Sequence, residues 1–411
     1  MAPRASPGPS VAAVAGHGRF QHLDGYASRN GFFWVLAVVV RQVCRLQLGY
    51  RIGRDLQLLS RPLILFLVKN LLLTAPLALA LSGPAALAQT VPAPAPYRLL
   101  HTIPIGGAGG WDYLRVDPAG TRLYVAHGTQ VEVVDLKTRK LLGTIPNTPG
   151  VHGIEVVPSA NRGYITCGRT NQCVVFDLAT LKPVAIVPTG PKPDALLYDA
   201  FSKRVFLFGN DGGKSTVLDG KSSLVVGTAE LRGDVEEGVS DGRGSIFVNI
   251  ENKNEVTEFD AKTLAVKKRY ALAPGEEPTG LGYDRKTNRL FSGCANEKLV
   301  VTDSRTGKQI AVLPTGKGTD GAVFDPATNN ILVSNGAGTL TVIHQDSPTK
   351  YTLVANVPTA RGARTLALDP KSHHIFTCTA DYGPAPVPTA ENPNPRPSVV
   401  PGTFRVLEFG K

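Results

Sequence analysis

The sequence predicts an all-β fold, a seven-bladed β-propeller of four-stranded antiparallel blades. Short apolar runs alternate with clusters of Gly, Asn, Asp, Lys and Thr from residue 97 to the C-terminus. The segment Pro278–Gly316 shows the pattern, with four runs: Gly280–Tyr283, Arg289–Gly293, Leu299–Asp303 and Gln309–Leu313. Such runs are too short for helices, and the residues between them favour hairpin turns. The pattern repeats about every 42 residues, which is typical of a propeller blade.

Two columns of acidic residues define the repeat. The first ends the first strand of each unit, with Val157 in its place in the second unit: Asp117, Asp199, Asp241, Asp284, Asp325 and Asp369. The second ends the third strand, with His344 and Glu408 in the last two units: Asp135, Asp177, Asp219, Asp260 and Asp303. Because both columns keep one period, together they predict seven units. We expect the second column to cap turns through its carboxylates.

The seventh unit, Arg364–Phe409, predicts how the ring closes. It contains only three strands, Thr365–Leu368, Ile375–Cys378 and Thr403–Phe409. A spare strand, Arg98–Ile105, precedes the first unit and resembles the fourth strands of other units. We therefore expect a three-plus-one closure in which this N-terminal strand completes the last sheet and removes a free edge.

The chain before the propeller divides into three segments. Residues 1–67 are Arg-rich and are expected to be a disordered leader or an extension upstream of the true start. Residues 68–88 have the charged, apolar and Ala-x-Ala parts of a signal peptide, with cleavage expected before Gln89; an uncleaved signal anchor is the alternative. Residues 89–96 form a Pro/Ala spacer, and residues 97–411 form the propeller. These segments predict export to a periplasmic or extracellular compartment.

The charge balance argues against a nucleic-acid partner. The chain has a net charge of +11, but nine basic and only two acidic residues lie in its first 88 residues. The remainder has 35 basic and 31 acidic residues, without the excess that binding to phosphate backbones requires. We therefore expect no nucleic-acid partner, membrane contact only through an uncleaved leader, and a monomer.

Four cysteines follow the predicted cleavage site. Cys167 and Cys173 flank a hairpin loop, and an oxidising compartment would permit a disulfide between them. The alternative is that both are free thiols, because the geometry across a hairpin is often unsuitable for a disulfide. Cys294 and Cys378 lie in second strands of different blades and are expected to be small buried apolar residues.

One long insertion interrupts the seventh unit. Residues 381–401 contain seven prolines and lie between its second and third strands. Loops of this length inside a compact repeat are usually functional or disordered. Because proline reduces the entropy lost on ordering, we expect a fixed lid over the channel face.

The channel entrance is the predicted site, because the first strand of each blade lines the channel and loops on a rigid scaffold carry function. Five residues before the first acidic column lies one entrance residue per blade: Asp112, His152, Asp194, Glu236, Thr279, Asp320 and Arg364. Each loop between second and third strands adds a residue on the same face: His127, Asn171, Asn210, Asn252, Asn296, Asn335 and Asp381. Glu237 and the rim residue Trp111 join the predicted ligand-binding set. His373 and His374 lie on the opposite face and are expected to be solvated.

Three interpretations of the entrance ring remain open. In the first, its side chains bind Ca²⁺ or another divalent cation: Asp112, Asp194, Glu236 and Asp320, together with His152. In the second, the ring binds a small polar ligand or a peptide, with Arg364 as the anion partner and Trp111 as the apolar contact. In the third, the carboxylates are the hydrated lining of a channel.

Several segments resemble the YVTN-repeat, YncE-like family of extracytoplasmic seven-bladed propellers. They are LYVAHG (Leu123–Gly128), IFVNIEN (Ile246–Asn252), ILVSNG (Ile331–Gly336), the V-x-D-x-x-T-G-K turn (Val301–Lys308) and the PTG ends (Pro188–Gly190 and Pro314–Gly316). The resemblance covers residues 97–411 and implies an exported propeller. The sequence departs from related lactonase-type and haem propellers. It has no C-x-x-C-H motif, and no set of acids and Asn maps onto a lactonase metal site.

The expected function is binding or scaffolding, with a small polar ligand or a partner protein held at the channel face. The main alternative is a metal-dependent lactonase or hydrolase that uses the acidic ring, with His152 as base. A second alternative is an accessory propeller of a periplasmic redox system. The sequence contains no G-x-S-x-G, Walker, H-E-x-x-H or zinc-type Cys motif that would favour another enzyme class.

Overall fold

The computed structural model describes residues 97–389, 392 and 395–411. The named strands of this part of the chain form seven four-stranded antiparallel sheets, which confirms the predicted seven-bladed propeller. The leader, signal-peptide and spacer predictions for residues 1–96 lie outside the described residues. The described part contains no helix with the length and apolarity needed to cross a bilayer.

Blades 1 to 3 each contain four strands in chain order. Blade 1 comprises Trp111–Val116, Arg122–His127, Gln130–Asp135 and Lys140–Ile145. Blade 2 comprises Val151–Val157, Arg162–Cys167, Gln172–Asp177 and Pro183–Pro188, with a 3₁₀ turn at Pro158–Ala160. Blade 3 comprises Pro193–Asp199, Arg204–Gly209, Lys214–Asp219 and Val225–Glu230.

Blades 4 to 6 repeat this arrangement. Blade 4 comprises Val235–Ser240, Ser245–Ile250, Glu255–Asp260 and Val266–Ala271, with a 3₁₀ turn at Glu251–Lys253. Blade 5 comprises Pro278–Asp284, Arg289–Cys294, Lys298–Asp303 and Gln309–Pro314. Blade 6 comprises Thr319–Asp325, Asn330–Asn335, Thr339–Ser347 and Lys350–Pro358.

Blade 7 closes the ring as predicted. Its strands, from the channel outwards, are Ala367–Leu368, Ile375–Thr379, Arg405–Gly410 and the N-terminal strand Arg98–Pro104. The outer pair is antiparallel, with Thr102 opposite Leu407. The first strand is shorter than the expected Thr365–Leu368.

The core lies between blades. Seven hydrophobic clusters occur in the described residues, and each joins two neighbouring blades around the whole ring. Side chains alternate between the two faces of a strand. In blade 1, Leu123 and Val125 therefore pack against blade 7, whereas Tyr124 and Ala126 pack against blade 2. Each blade is covered on both faces, so no blade could bury its core alone.

The third-strand acids cap turns, as the sequence predicts. The Asp135 carboxylate accepts hydrogen bonds from the Thr138 backbone N–H at 2.7 Å and from its hydroxyl at 2.9 Å. Equivalent backbone contacts occur in the next four blades at Asp177, Asp219, Asp260 and Asp303. Hydrogen bonds from Thr138 lower the pKa of Asp135.

The ring seam, where blade 7 meets blade 1, is held by the buried carboxylate of Glu408. Arg139 of blade 1 donates Nε–H to it at 2.6 Å, and Nδ1 of His374 lies 2.7 Å from it. Nδ1 of His101, on the N-terminal strand, lies 3.4 Å away. Burial alone would raise the pKa of Glu408, but hydrogen bonds from Arg139 and His374 outweigh it and lower the pKa.

The two turn histidines differ from the expectation of solvated residues. His374 pairs with Glu408, and Nδ1 of His373 lies 3.1 Å from the buried carboxylate of Asp325 in blade 6. Both are partly buried: His373 joins blade 7 to blade 6, whereas His374 pairs with an acid of its own blade.

The structure contradicts a disulfide between Cys167 and Cys173, which are both free and buried. Cys167 lies opposite Gln172 and Cys173 lies opposite Thr166, so the two thiols are one register step apart and point to opposite faces of the blade. Cys167 packs between blades 1 and 2, whereas Cys173 packs between blades 2 and 3. Burial raises the pKa of Cys167 to about 12.

Candidate functional site

A local irregularity presents the entrance residues to the channel. In blades 1 to 6, the pairing of the first and second strands shifts register at the second residue of the first strand. Those six residues are Asp112, His152, Asp194, Glu236, Thr279 and Asp320. A β-bulge re-aims side chains and ends regular pairing. The repeated bulge therefore explains how strands that pack a core also supply a polar ring.

Hydrogen bonds and ion pairs connect five of the seven ring residues in the part of the ring that we call the channel mouth. Arg364 donates to the carboxylate of Asp320 and, at 3.0 Å, to that of Asp112. The other oxygen of Asp112 lies 2.6 Å from Nδ1 of His152. His152 also lies 3.6 Å from the carboxylate of Asp194.

Asn210 extends this network to blade 4. Its amide nitrogen donates to Glu236 at 2.9 Å and to Asp194 at 3.4 Å. The sequence placed Asn210 among seven equivalent loop residues, and only the structure singles it out. No sequence signal distinguishes it, because every blade combines one entrance residue with one such loop residue.

The network ends at blade 5, where the ring residue is Thr279. Its hydroxyl contacts the backbone oxygen of Thr319 at 3.4 Å. Blade 5 therefore contributes no charge, and the charged part of the ring is an arc from Asp320 through blades 7, 1, 2 and 3 to Glu236.

The arc contains more carboxylates than cations. Asp112, Asp194, Glu236 and Asp320 face one guanidinium, Arg364, and one imidazole. Burial and the nearby Asp112 carboxylate raise the pKa of Asp194 to about 6. Burial and the Asp194 carboxylate raise the pKa of Glu236 to about 9. The site therefore favours an added proton or another cation.

The neighbouring carboxylates also raise the pKa values of the two basic side chains of the arc, His152 and Arg364. The hydrogen bond to Asp112 raises the pKa of His152, so that the protonated imidazole is favoured between two carboxylates. Burial would lower the pKa of Arg364, but Asp320 and Asp112 outweigh it and raise the pKa. Arg364 is therefore a permanent cation that leaves Asp194 and Glu236 without a charged partner of their own, apart from His152.

Three side chains of the arc could hold a metal ion. One ligand atom each from Asp112, His152 and Asp194 can be chosen so that all lie within 4.8 Å of one another. Arg364 and Asn210 support Asp112 and Asp194, respectively, as outer partners that orient ligands. Of the other predicted ligands, Asp320 pairs with Arg364, and Glu236 pairs with Asn210.

Four predicted binding residues have other structural partners. The Trp111 indole donates to the Gly362 carbonyl at 2.9 Å, and His127 stacks on Phe404 with ring centroids 4.1 Å apart. Asn252 accepts a hydrogen bond from the Asp234 backbone N–H at 3.1 Å. Asp381 pairs with Arg405 at 2.8 Å. These contacts hold loops of the channel face rather than converge on Asp194.

Glu237 lies beyond the mouth, on the wall of a cavity inside the channel. Its Oε2 accepts the backbone N–H of Leu281 at 3.0 Å. Burial raises the pKa of Glu237 to about 7. The structure thus separates Glu237 from Glu236, although the two are adjacent in sequence.

The base of the lid insertion is ordered against the mouth. Gly383 and Ser398 are joined by a backbone hydrogen bond of 2.8 Å, and Tyr382 pairs with Val399. The Tyr382 and Trp111 rings lie 6.1 Å apart. Residues 390, 391, 393 and 394 of the insertion lie outside the described part.

Comparisons with known proteins show the fold. No family model matches the chain, and no curated protein matches it. A chain of hydrazine synthase from Kuenenia stuttgartiensis is similar with a TM-score of 0.58 and 15% identity, over 66% of this chain and 92% of that chain. A chain of the mitotic checkpoint complex is similar with a TM-score of 0.60 and 14% identity, over 74% of this chain and 93% of that chain. At these identities the likeness shows the β-propeller architecture alone.

Proposed function

We propose that this β-propeller is an exported, YncE-like binding protein that captures a divalent metal ion at its channel mouth. The proposal rests on one observation, the convergence of Asp112, His152 and Asp194 in an arc where carboxylates outnumber cations. A cation at this point would replace the protons that the arc otherwise favours. The rigid ring of blades supports such a role, because it holds ligands from three blades in fixed positions.

The donor set fits a transition metal better than Ca²⁺. Two carboxylate oxygens and one imidazole nitrogen suit Mn²⁺ and Zn²⁺, whereas Ca²⁺ takes six to eight oxygens. The sequence predicted four acids together with His152, and the proposed ligand set keeps only Asp112, Asp194 and His152 of these. Glu236 and Asp320 pair instead with Asn210 and Arg364, respectively. For His152 to ligate through Nδ1, its proton must leave, so affinity should rise with pH.

Metal titration tests this proposal. The metal-stripped protein is titrated with Mn²⁺, Zn²⁺ and Ca²⁺ by calorimetry, and its metal content is measured after dialysis. We expect one site that prefers Mn²⁺ and Zn²⁺ to Ca²⁺ and that loses at least ten-fold in affinity in Asp194→Asn. The matched control is Asp211→Asn, an exposed acid in the loop after the second strand of the same blade. Equal affinity of the two variants would refute the proposal.

A metal-dependent hydrolase, such as a lactonase, is the second candidate, and Glu236 favours it. A carboxyl group that stays protonated at neutral pH beside a metal site can act as a general acid. If the protein hydrolyses lactones, Glu236→Gln should reduce the rate at least a hundred-fold while metal content stays constant. If the protein binds metal but hydrolyses none of a panel of lactones, the hydrolase candidate is rejected and only the metal-binding function is supported.

A further inference from the structure

A cavity that is partly open to solvent lies in the channel beyond the mouth. It has a volume of about 620 Å³, within the usual range for small-molecule sites. First-strand residues from all seven blades line it, but none of the seven entrance-ring residues does. The cavity and the metal site are therefore built from different residues of the same strands.

Tyr113 separates the channel mouth from the cavity. It follows Asp112 in the first strand of blade 1 and lines the cavity. Its side chain packs against the hydrophobic cluster of blades 3 and 4, which are not neighbours of blade 1. The ring therefore reaches across the channel and forms the ceiling of the cavity.

The wall combines polar and apolar surface in similar shares. Its half-buried apolar side chains include Leu196, Leu197, Val239, Val323 and Leu368. Arg115, on the wall, forms an ion pair with the buried Glu155, with Nε 3.0 Å and Nη2 2.7 Å from Oε1. The charge of Arg115 is therefore neutralised within the protein. The apolar side chains of the wall remain available to contact the apolar part of a ligand.

Glu237 is the polar group available at the inner end. Only its Oε2 has a hydrogen-bond partner among the described residues, the backbone N–H of Leu281. Its Oε1 is left to interact with whatever occupies the cavity. A partly buried carboxyl oxygen gains a hydrogen bond from a ligand hydroxyl, because the Leu281 N–H satisfies only Oε2.

Two exposed cations lie at the outer end, on the face opposite the mouth. Arg285 and Lys286 line the opening, and Arg285 is positioned by a 2.9 Å bond from its Nε to the Ser240 carbonyl. The neighbouring Asp284 is buried and occupied by Gln345 and Thr287. Ser240 lies three residues from Glu237 on one strand, so the two polar ends are about 10 Å apart.

We infer that this cavity binds an amphipathic organic anion, a carboxylate whose apolar chain carries a hydroxyl group at its far end. The carboxylate contacts Arg285 and Lys286 at the opening. The chain lies against the apolar side chains of the wall, and the hydroxyl donates to Glu237 beneath Tyr113. The site is independent of the metal site, because the two share no side chain.

Calorimetric titration with ω-hydroxydecanoate, kept below its micelle concentration, tests the inference on the full chain. Decanoate lacks the hydroxyl, and decanol lacks the carboxylate. We expect one-to-one binding of ω-hydroxydecanoate, about ten-fold tighter than that of decanoate. Decanol should bind more weakly than either.

Two variants and one matched control locate the bound ligand. Lys286→Glu should lower the affinity for ω-hydroxydecanoate and decanoate at least five-fold without changing the affinity for decanol. Glu237→Leu should bind ω-hydroxydecanoate and decanoate equally well. Lys308→Glu makes the same charge change at an exposed turn residue outside the cavity lining and should bind like the wild type. No binding of any probe would overturn the inference. Wild-type affinity of Lys286→Glu for the two carboxylates would also overturn it. Lys286 is exposed, so this variant tests the inference even if Glu237→Leu folds poorly.

Discussion

The ring seam and the channel mouth use carboxylates in opposite ways. At the seam, one buried acid, Glu408, is surrounded by Arg139, His374 and His101, and its pKa is lowered. At the mouth, four acids share one arginine and one histidine, and the pKa of Asp194 is raised. The same functional group therefore contributes to stability in one place and is left available for a ligand in the other.

The ratio of charges, rather than burial, separates the two roles. Glu408 and Glu236 are both buried. Burial alone raises the pKa of either group, but only Glu408 has enough donors to reverse the effect. A site whose acids remain without partners in a rigid scaffold is destabilised unless a cation binds, which is how binding sites commonly differ from structural ion pairs.

The largest expected effect is at the seam. Glu408→Gln leaves Arg139 and His374 without their anion, and it should lower the free energy of unfolding by about 2–4 kcal/mol. Chemical denaturation measures this loss. Glu230→Gln, on the exposed outer strand of blade 3, is the control and should change stability by less than about 0.5 kcal/mol. Similar values for the two variants would mean that the seam does not depend on Glu408.

Removing an acid at the channel mouth should have the opposite effect on the free energy of unfolding. In chelator, Asp194→Asn removes a repelled carboxylate while keeping side-chain shape, so the free energy of unfolding should rise by about 1–2 kcal/mol at neutral pH. The same variant should lose metal affinity. A destabilised Asp194→Asn protein would show that the acid has a structural role, and the contrast with Glu408 would fail.

The pH dependence of this gain sharpens the comparison. The pKa of Asp194 is raised from 3.8 to about 6, so the folded state binds its proton more tightly than the unfolded state. The associated stability is present below pH 4 and is lost as pH rises to about 6. In chelator, the advantage of Asp194→Asn over the wild type should therefore grow by about 2 kcal/mol between pH 4 and pH 7. Denaturation curves at several pH values check this, and a constant difference would contradict it.

The smallest expected effect concerns the thiols of blade 2. Because Cys167 and Cys173 are free, dithiothreitol should leave the melting temperature unchanged. Because both are buried, with raised pKa values, iodoacetamide should modify them only after unfolding. Mass spectrometry of native and unfolded samples measures this. A mass consistent with one disulfide would contradict the assignment of opposite faces.

Local sequence patterns could predict the blades because the signals for them are local. The second Asp column caps turns within three residues of itself, so the spacing of such acids predicts seven sheets without any long-range contact. The entrance ring could be predicted from the same alignment. Each entrance residue lies five residues before the first acidic column, which is a fixed distance along one strand. The N-terminal strand Arg98–Pro104 was recognisable because it resembles other fourth strands.

What could not be predicted depends on contacts between distant residues. Arg139 and Glu408 are 269 positions apart, so no spacing argument pairs them. The indole of Trp111 is held by Gly362, which is 251 positions away. The faces of Cys167 and Cys173 depended on a register that the loop length alone did not determine.

Calorimetry of Mn²⁺ binding at pH 6, in two buffers that differ in ionisation enthalpy, tests the central claim most directly. If the surplus carboxylates and His152 form the metal site, Mn²⁺ should displace the proton that these groups hold. The expected result is the release of about one proton on binding to the wild type, with no comparable binding to Asp194→Asn. Failure of Mn²⁺ to bind, or binding without proton release that persists in Asp194→Asn, would contradict the claim.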